Sequence, residues 1–191
     1  MIIPLLLQTT APQFNFSFMS PEQKIKEAFT RRVKALSLKP SLGLGTRTSK
    51  ARITNGLSCE ITEGNWKLMT DMPEAAGGNA SAPTPGVYGR AALGGCLAIA
   101  YKMYAAKMNI VIDALDVEVQ ADFDDGALFG TSDVPPGYLE VRYTVTIESD
   151  ATREELMKFL DETDRHSPYL DVFSRGQKCV RTVNIISTQQ H

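Results

Sequence analysis

The chain has 191 residues and a mass of 20.9 kDa, which is the size of one ordinary domain. Hydrophobic residues make up 43% of it, enough for a substantial core, and the formal net charge of -2 gives no excess that calls for nucleic acid or an acidic membrane surface. We expect a single domain over residues 1–191, with a core from 46 to 186 and an N-terminal extension over 1–40.

The first seven residues are apolar, but no Lys or Arg precedes them, Pro4 interrupts them, and the run is too short to cross a bilayer. We therefore expect neither a signal peptide nor a membrane helix. Cys59, Cys96 and Cys179 form an odd, widely spaced set that suits neither a disulfide scaffold nor a zinc site. We expect no cofactor, no metal and a reducing cytoplasmic location.

The first predicted helix begins at Ser20-Pro21, where a serine N-cap, a proline at the first helical position and Gln23 form a capping box. It ends before Lys39-Pro40. Its polar face has no basic stripe flanked by tryptophan, so an ordinary packing element or a dimer arm is favoured over a helix on a membrane surface. The apolar residues at helical spacing are Ile25, Ala28, Phe29, Val33 and Leu36.

Three strand-like runs follow, over residues 46–54, 57–62 and 66–70. Asn55-Gly56 separates the first two and Glu63-Gly64 the last two, and an Asn-Gly pair between such runs is a strong hairpin signal. The sequence therefore predicts an antiparallel three-stranded meander. Residues 72–85 are rich in Gly and Pro and are predicted to form a loop.

A long helix is predicted over residues 86–108, and no charged residue occurs between Ala91 and Tyr101. A helix that is apolar on every side is buried on every side. Gly94 and Gly95 each cost on the order of 1 kcal/mol of helix propensity relative to Ala. We expect a neighbouring backbone or helix to approach closely at these glycines.

The rest of the chain alternates between strands and helices. Residues 111–123 and 138–148 have strand-like alternation, and a capping box beginning at Thr152 opens a helix. A short helix over 168–173 and a last strand over 178–186 complete the order. This succession of elements predicts an α+β fold.

Cys96 is the first candidate for chemistry. A cysteine among Ala and Leu on a helix is most often a small core residue, and no cation or base shares its helical face. It also lies roughly ten residues into the helix, beyond the reach of the helix dipole. A reactive thiolate at Cys96 would therefore need an Arg or Lys from elsewhere in the fold. Cys59 and Cys179 alternate with apolar strand residues and are predicted to face the core.

Two other groups of residues give little indication of a catalytic or metal site. His166 and Ser167 are adjacent, but neighbours in sequence seldom point at each other, and the G-x-S-x-G context of a serine hydrolase is missing. Asp122, Asp124 and Asp125 lack the spaced ligands and closing Glu of an EF-hand, so they are read as a solvated turn.

Several segments together resemble the OsmC/Ohr family, whose names derive from osmotically inducible protein C and organic hydroperoxide resistance. The similarity covers residues 46–186 and lies in the order and spacing of loose motifs. These motifs are Glu63-Gly64-Asn65-Trp66-Lys67-Leu68, Pro73 with Gly77-Gly78, Thr84-Pro85, and Ala91-Ala92-Leu93-Gly94-Gly95-Cys96-Leu97.

The resemblance implies an intertwined homodimer in which antiparallel sheets wrap around the long central helices, with an extra N-terminal helix in this chain. It also implies a thiol peroxidase in which the first cysteine, here Cys96, attacks an organic hydroperoxide. An Arg on the first strands activates this thiol, and Arg52 is the better match, followed by Arg47; Arg90 on the helix itself is a third choice.

This chain departs from the family pattern twice. Ser167, before Pro168, stands where the second cysteine is expected, and Gly86 stands where the Glu that orients the Arg is expected. Because a hydroxyl cannot form a disulfide, the internal resolving step is lost. Two hypotheses remain: a peroxidase that uses Cys96 alone with an external thiol reductant, or a non-catalytic dimer that binds a small hydrophobic ligand or a protein. Neither involves nucleic acid or a membrane.

Overall fold

The computed structural model describes residues 19–186, so the prediction for the apolar run at residues 1–7 lies outside the described residues. It has an α+β fold with two antiparallel sheets, β1-β2-β3 and β4-β5, as expected. The elements are α1 (Pro21–Leu38), β1 (Lys50–Ile53), β2 (Cys59–Glu63), β3 (Trp66–Thr70), α2 (Pro85–Met108), β4 (Ala114–Asp122), α3 (Asp125–Phe129), β5 (Glu140–Glu148), α4 (Arg153–Asp164) and α5 (Pro168–Ser174).

Helix α1 has the predicted capping box and packs on α2. The Ser20 hydroxyl accepts a hydrogen bond from the Gln23 amide at 3.2 Å, and the Gln23 side chain accepts one from the Ser20 amide at 3.1 Å. Phe29 meets Tyr104 of α2 edge-on, with ring centroids 5.3 Å apart, and the Lys107 ammonium lies 4.7 Å from the Tyr104 centroid. The expectation that α1 is a packing element is therefore confirmed, although Val33 of its predicted apolar face is exposed.

The β1-β2-β3 sheet has one apolar face that little else in the described chain covers. The register pairs Ile61 with both Ala51 and Leu68, which places these side chains on a common face. No other element packs extensively on the sheet among residues 19–186. Trp66, on this face, is 77% exposed. Three strands with an uncovered apolar face need a partner surface.

The loop between β3 and α2 is organised by Asp71, which is 1% exposed. Its carboxylate accepts hydrogen bonds from the Ser81 hydroxyl at 2.6 Å and from the amides of Met72, Asn79 and Ser81. The Ser81 hydroxyl is the main cause that lowers the pKa of Asp71. A Cβ atom at Gly78 would lie 1.9 Å from the Met72 carbonyl oxygen, so only glycine fits there. These hydrogen bonds and the glycine at position 78 fix the conformation of the loop that leads into α2.

Helix α2 is the centre of the fold. One face of α2 has a buried side chain at every fourth position, and it packs on the β4-β5 sheet, α4 and α5. A Cβ atom at Gly94 would lie 3.3 Å from Val119 Cγ2 and 3.8 Å from the Val117 carbonyl, so the expected close approach is made by β4. A Cβ atom at Gly95 would meet nothing within 4 Å. The buried core consists of Leu93, Leu97, Tyr101, Ala105, Ile112 and Phe159.

Three details differ from the sequence-based expectations. The β4-β5 connection contains the short helix α3, whose N-cap Asp124 accepts a hydrogen bond from the Gly126 amide at 2.7 Å. Residues 178–186 form no strand, because no sheet edge within the described range 19–186 pairs with them, and Ile185 is 90% exposed. Cys179 is consequently exposed and does not face the core, whereas Cys59 is buried as predicted.

Local capping signals mark the start of α4 and the end of α2. A capping box at Thr152 opens α4, and α2 stops at Asn109, which adopts a left-handed conformation with φ of 58°. No helix among residues 19–186 is long and apolar enough to cross a membrane.

Candidate active site around Cys96

Cys96 lies on the border between two faces of α2. Leu93 and Leu97 are fully buried on one face, whereas Gly95 and Ile99 are exposed, Ile99 by 65%. Residues 95 and 97 are separated by about 200° around a helix, so their two stripes lie on opposite sides. Cys96, between them, is partly buried. This residue is therefore partly shielded from solvent and adjoins the open side of the helix.

The open side of α2 continues as an apolar stripe along the whole helix. Val87, Ile99 and Met103 are all exposed on it, and Ala91 and Gly95 fill the positions between. The spacing of four residues places them in one row. An exposed row of this kind on the central helix marks a contact surface.

The Arg90 guanidinium lies near the first turn of α2. Its guanidinium Nη1 lies 3.4 Å from the point where a Cβ atom of Gly86 would stand. Helical side chains lean toward the N-terminus of their helix, and Arg90 follows that rule, which takes its charge away from Cys96. A Cβ atom at Gly86 would stand in ordinary van der Waals contact with this guanidinium.

Arg52 and Arg47 are both exposed. Arg52 is on β1 opposite Glu60, on the polar face of a sheet that does not pack extensively on α2. Cys96 makes no hydrogen bond to any residue in the range 19–186. No Lys or Arg within the described part of the chain therefore donates a hydrogen bond to this thiol.

A buried polar network fixes the turn between α4 and α5 against α2. The Asp164 carboxylate accepts hydrogen bonds from the hydroxyl of Tyr101 at 2.6 Å and from that of Tyr143 at 2.8 Å. Burial, followed by the hydrogen bond to Asp164, raises the pKa of both phenols, that of Tyr143 to about 12. The network joins α2, β5 and α4 at a single carboxylate.

His166 and Ser167 have separate roles in this turn, which agrees with the expectation that they are not a catalytic pair. The His166 ring stacks on Tyr104 with centroids 5.7 Å apart, and its Nε2 lies 3.4 Å from a Glu162 carboxylate oxygen. Ser167 is 3% exposed and caps α5 by accepting a hydrogen bond from the Leu170 amide at 3.4 Å.

Contacts at both ends of α5 place it along α2. Before its start, Asp164 bonds to Tyr101 of α2. Near its end, Phe173 stacks on Tyr138, whose hydroxyl donates to the Gly86 carbonyl at 3.0 Å. Helix α5 therefore passes the part of α2 between residues 86 and 101, which carries Cys96. Ser167, at the Tyr101 end, lies beside this stretch.

An apolar groove of about 540 Å³ lies between α1, α2 and the start of β4. Ile99 and Met103 of the exposed stripe form part of its wall, and Lys102 stands at its edge with its ammonium donating to the Ile112 carbonyl at 3.1 Å. The groove is thus continuous with the open side of α2.

Sequence reasoning missed the Asp164 network. Tyr101 offered a signal, because a hydroxyl at the end of a long uncharged run must find a hydrogen-bond partner once buried. Asp164 could not be named as its acceptor, nor Tyr143 as the second donor to that carboxylate, since they are 63 and 42 residues away along the chain.

The comparisons with known proteins agree with this architecture. Residues 77–180, more than half of the chain, match the family model described as OsmC-like protein. The chain belongs to the OsmC-like family. No curated protein matches it in a sequence search.

Solved structures show the same fold. An OsmC-like protein from Mycoplasma pneumoniae has 17% identity and a TM-score of 0.59, covering 68% of this chain and 88% of its own. An organic hydroperoxide resistance protein OsmC from Legionella pneumophila has 18% identity and a TM-score of 0.50, with coverage of 68% and 90%. An organic hydroperoxide resistance protein from Elizabethkingia anophelis has 19% identity and a TM-score of 0.51, with coverage of 70% and 90%.

Replacing Tyr143 tests the polar network. A raised phenol pKa contributes stability that is complete below the ordinary value near 10 and is lost as the pH rises through about 12. We expect Tyr143→Phe to lower the free energy of unfolding by about 1 kcal/mol at pH 7 and to flatten its decline above pH 10. Denaturant melts from pH 7 to 11.5 measure both. Exposed Tyr169→Phe is the control, and identical curves for Tyr143→Phe and the unchanged chain would contradict the network.

Proposed function

We propose that this chain is a thiol peroxidase that reduces organic hydroperoxides through Cys96 and that works as a homodimer. The position of Cys96 carries the proposal: the thiol is partly buried, yet it lies at the edge of the open side of α2, where a substrate can approach. The relatives named for organic hydroperoxide resistance share its fold and give the reaction class.

The reaction needs only one cysteine. The Cys96 thiolate attacks one peroxide oxygen, an S–O bond forms, the O–O bond breaks, and an alcohol leaves after taking a proton. An external thiol then attacks the sulfur of the sulfenic acid and releases water, and a second thiol reduces the mixed disulfide. Because Ser167 cannot supply a resolving sulfur, both thiols come from solution.

The homodimer is supported by surfaces that residues 19–186 of one chain leave uncovered. These are the open stripe of α2, with Ile99 and Gly95, and the apolar face of the β1-β2-β3 sheet, with Trp66. A second copy has the same two surfaces, so the apolar sheet face of each copy can cover the α2 stripe of the other. The small residues on the stripe permit the close approach of a helix.

The dimer also supplies the missing positive charge. Arg52 is on the polar face of the uncovered sheet but on its edge strand, β1, so its long side chain can reach around that edge toward the thiol of a partner whose α2 the apolar face covers. A guanidinium within about 4–6 Å favours the thiolate. Arg47 is the next choice, on the chain that leads into β1.

A second function has one observation in its favour. The groove of about 540 Å³ has a largely apolar lining, and no cation contacts Cys96 in the described part of the chain. A non-catalytic dimer would hold a small hydrophobic ligand or a protein partner there. The thiol would then react slowly with peroxides.

Brief oxidation distinguishes the two functions. We expect a short exposure to cumene hydroperoxide with dimedone present to label Cys96 and to leave buried Cys59 unlabelled, as read by peptide mass spectrometry. Arg52→Ala should lower the labelling rate at pH 7 about tenfold or more, because the thiolate loses its stabilising charge.

Two controls accompany this experiment. Lys67→Ala removes a positive charge from the same sheet face as Arg52 and should leave the labelling rate unchanged. The chain with Cys96→Ser should yield no dimedone adduct at that position and no peroxide consumption. Absence of any Cys96 adduct in the unchanged chain would reject the peroxidase and favour the ligand-binding dimer.

A substitution at Gly95 tests the dimer. Because a side chain at this position meets nothing in its own chain, Gly95→Leu should leave the protomer folded while blocking the approach of a second helix. We expect light scattering to give twice 20.9 kDa for the unchanged chain and about 20.9 kDa for the variant. Gly45→Leu, at another open glycine, should stay dimeric. An unchanged dimer for Gly95→Leu would mean that the stripe is not the interface.

A further inference from the structure

Strand β4 has a free edge, and an apolar groove runs along it. Among residues 19–186, β4 pairs with β5 alone. The groove of about 540 Å³ contacts Asp113, Ala114 and Leu115 in succession. Because successive side chains of a strand point to opposite faces, a groove that meets three residues in a row approaches the strand from its edge. Such an edge, with unpaired backbone groups beside an apolar groove, is a place where a further strand can add.

The chain that leads into α1 is attached beside this edge. The Lys102 ammonium lies 4.0 Å from a carboxylate oxygen of Glu22, in the first turn of α1, and 3.1 Å from the Ile112 carbonyl, two residues before β4. Ile25 of α1 is itself part of the groove wall. At about 3.3 Å per extended residue, the few residues that precede Ser20 are long enough to reach the start of β4.

The sequence of that preceding segment has the pattern of a half-buried strand. Residues 14–18 read Phe-Asn-Phe-Ser-Phe, and no charged residue occurs from residue 1 to residue 20. A period of two places the three phenyl rings on one face of a strand, whereas the same spacing would scatter them around a helix. Pro12 and the Ser20-Pro21 cap of α1 bound the run, which has the length of a short strand.

The β4-β5 sheet separates polar from apolar side chains in a way that matches this pattern. Its inner face, which includes Leu115, packs on α2, and its outer face exposes Asp116 and Glu118 to solvent. A strand beside β4 with its rings on the inner face would set them against Ile99 and Met103 in the groove wall. The Asn and Ser between the rings would then join the polar outer face.

We propose that residues 14–18 add to the free edge of β4 as a third strand of the β4-β5 sheet and fill the groove of their own chain with their phenyl rings. This inference does not depend on the proposed function. A short tether gives the segment an effective concentration on the order of millimolar at the groove, which favours it over a second copy. Gly95 lies nearer the start of α2 than the groove does and stays available to a second copy.

Hydrogen exchange of the full chain, followed residue by residue by NMR, tests the added strand. Alternate amides over residues 114–117 face the free edge, and we expect them to be protected in the unchanged chain. In a variant with Phe14→Ser, Phe16→Ser and Phe18→Ser these amides should exchange about tenfold faster, because each loses a hydrogen bond. The amides between them, which bond to β5, should keep their protection and so report that the variant is folded.

A matched variant of the same segment is the control. Ile2→Ser, Ile3→Ser and Leu5→Ser remove as many apolar side chains from the chain before α1, but none from residues 14–18. The exchange rates over residues 114–117 should equal those of the unchanged chain.

Three results would overturn the inference. Fast exchange of the free-edge amides in the unchanged chain would mean that no strand covers them. Equal protection in the unchanged chain and in the variant with three Phe→Ser changes would mean that something other than the phenyl run covers the edge. Protection that fades on dilution would assign the edge to a second copy. None of these results bears on the oxidation of Cys96.

Discussion

The fold depends on the burial of one helix whose central stretch is free of charge. From Ala91 to Tyr101, α2 offers no charged side chain on any side, so each side must be taken from water by other parts of the protein. The β4-β5 sheet, α4 and α5 cover the side with Leu93 and Leu97, whereas the side with Ile99 stays open. The packing of these elements is therefore arranged around the burial of one side of α2.

The candidate chemistry follows from the same division. Cys96 lies where the covered and open sides meet, so it is partly buried and close to an accessible surface. The Asp164 carboxylate fixes the α4-α5 turn to Tyr101, and so determines where Ser167 stands along α2. In the proposed peroxidase, a second copy brings the positive charge to Cys96 and an external thiol takes the place of a second cysteine.

The sequence alone predicted the elements whose signals are local. The capping boxes at Ser20 and Thr152 and the three-stranded meander with its Asn55-Gly56 turn have the expected places. Features that depend on contacts between distant parts of the chain were missed or were predicted wrongly. The strand over 178–186 needs a sheet edge that this chain does not offer it, and Cys179 is exposed for that reason. The choice among Arg52, Arg47 and Arg90 as the partner of Cys96 stays a prediction.

Fluorescence of Trp66, the single tryptophan of the chain, tests most directly whether a second copy covers the surfaces left open here. Its side chain is 77% exposed when one chain stands alone. At micromolar concentration we predict blue-shifted emission and protection from acrylamide, and a shift to the red on dilution into the range where the dimer dissociates. Red, freely quenched emission at every concentration would contradict the account.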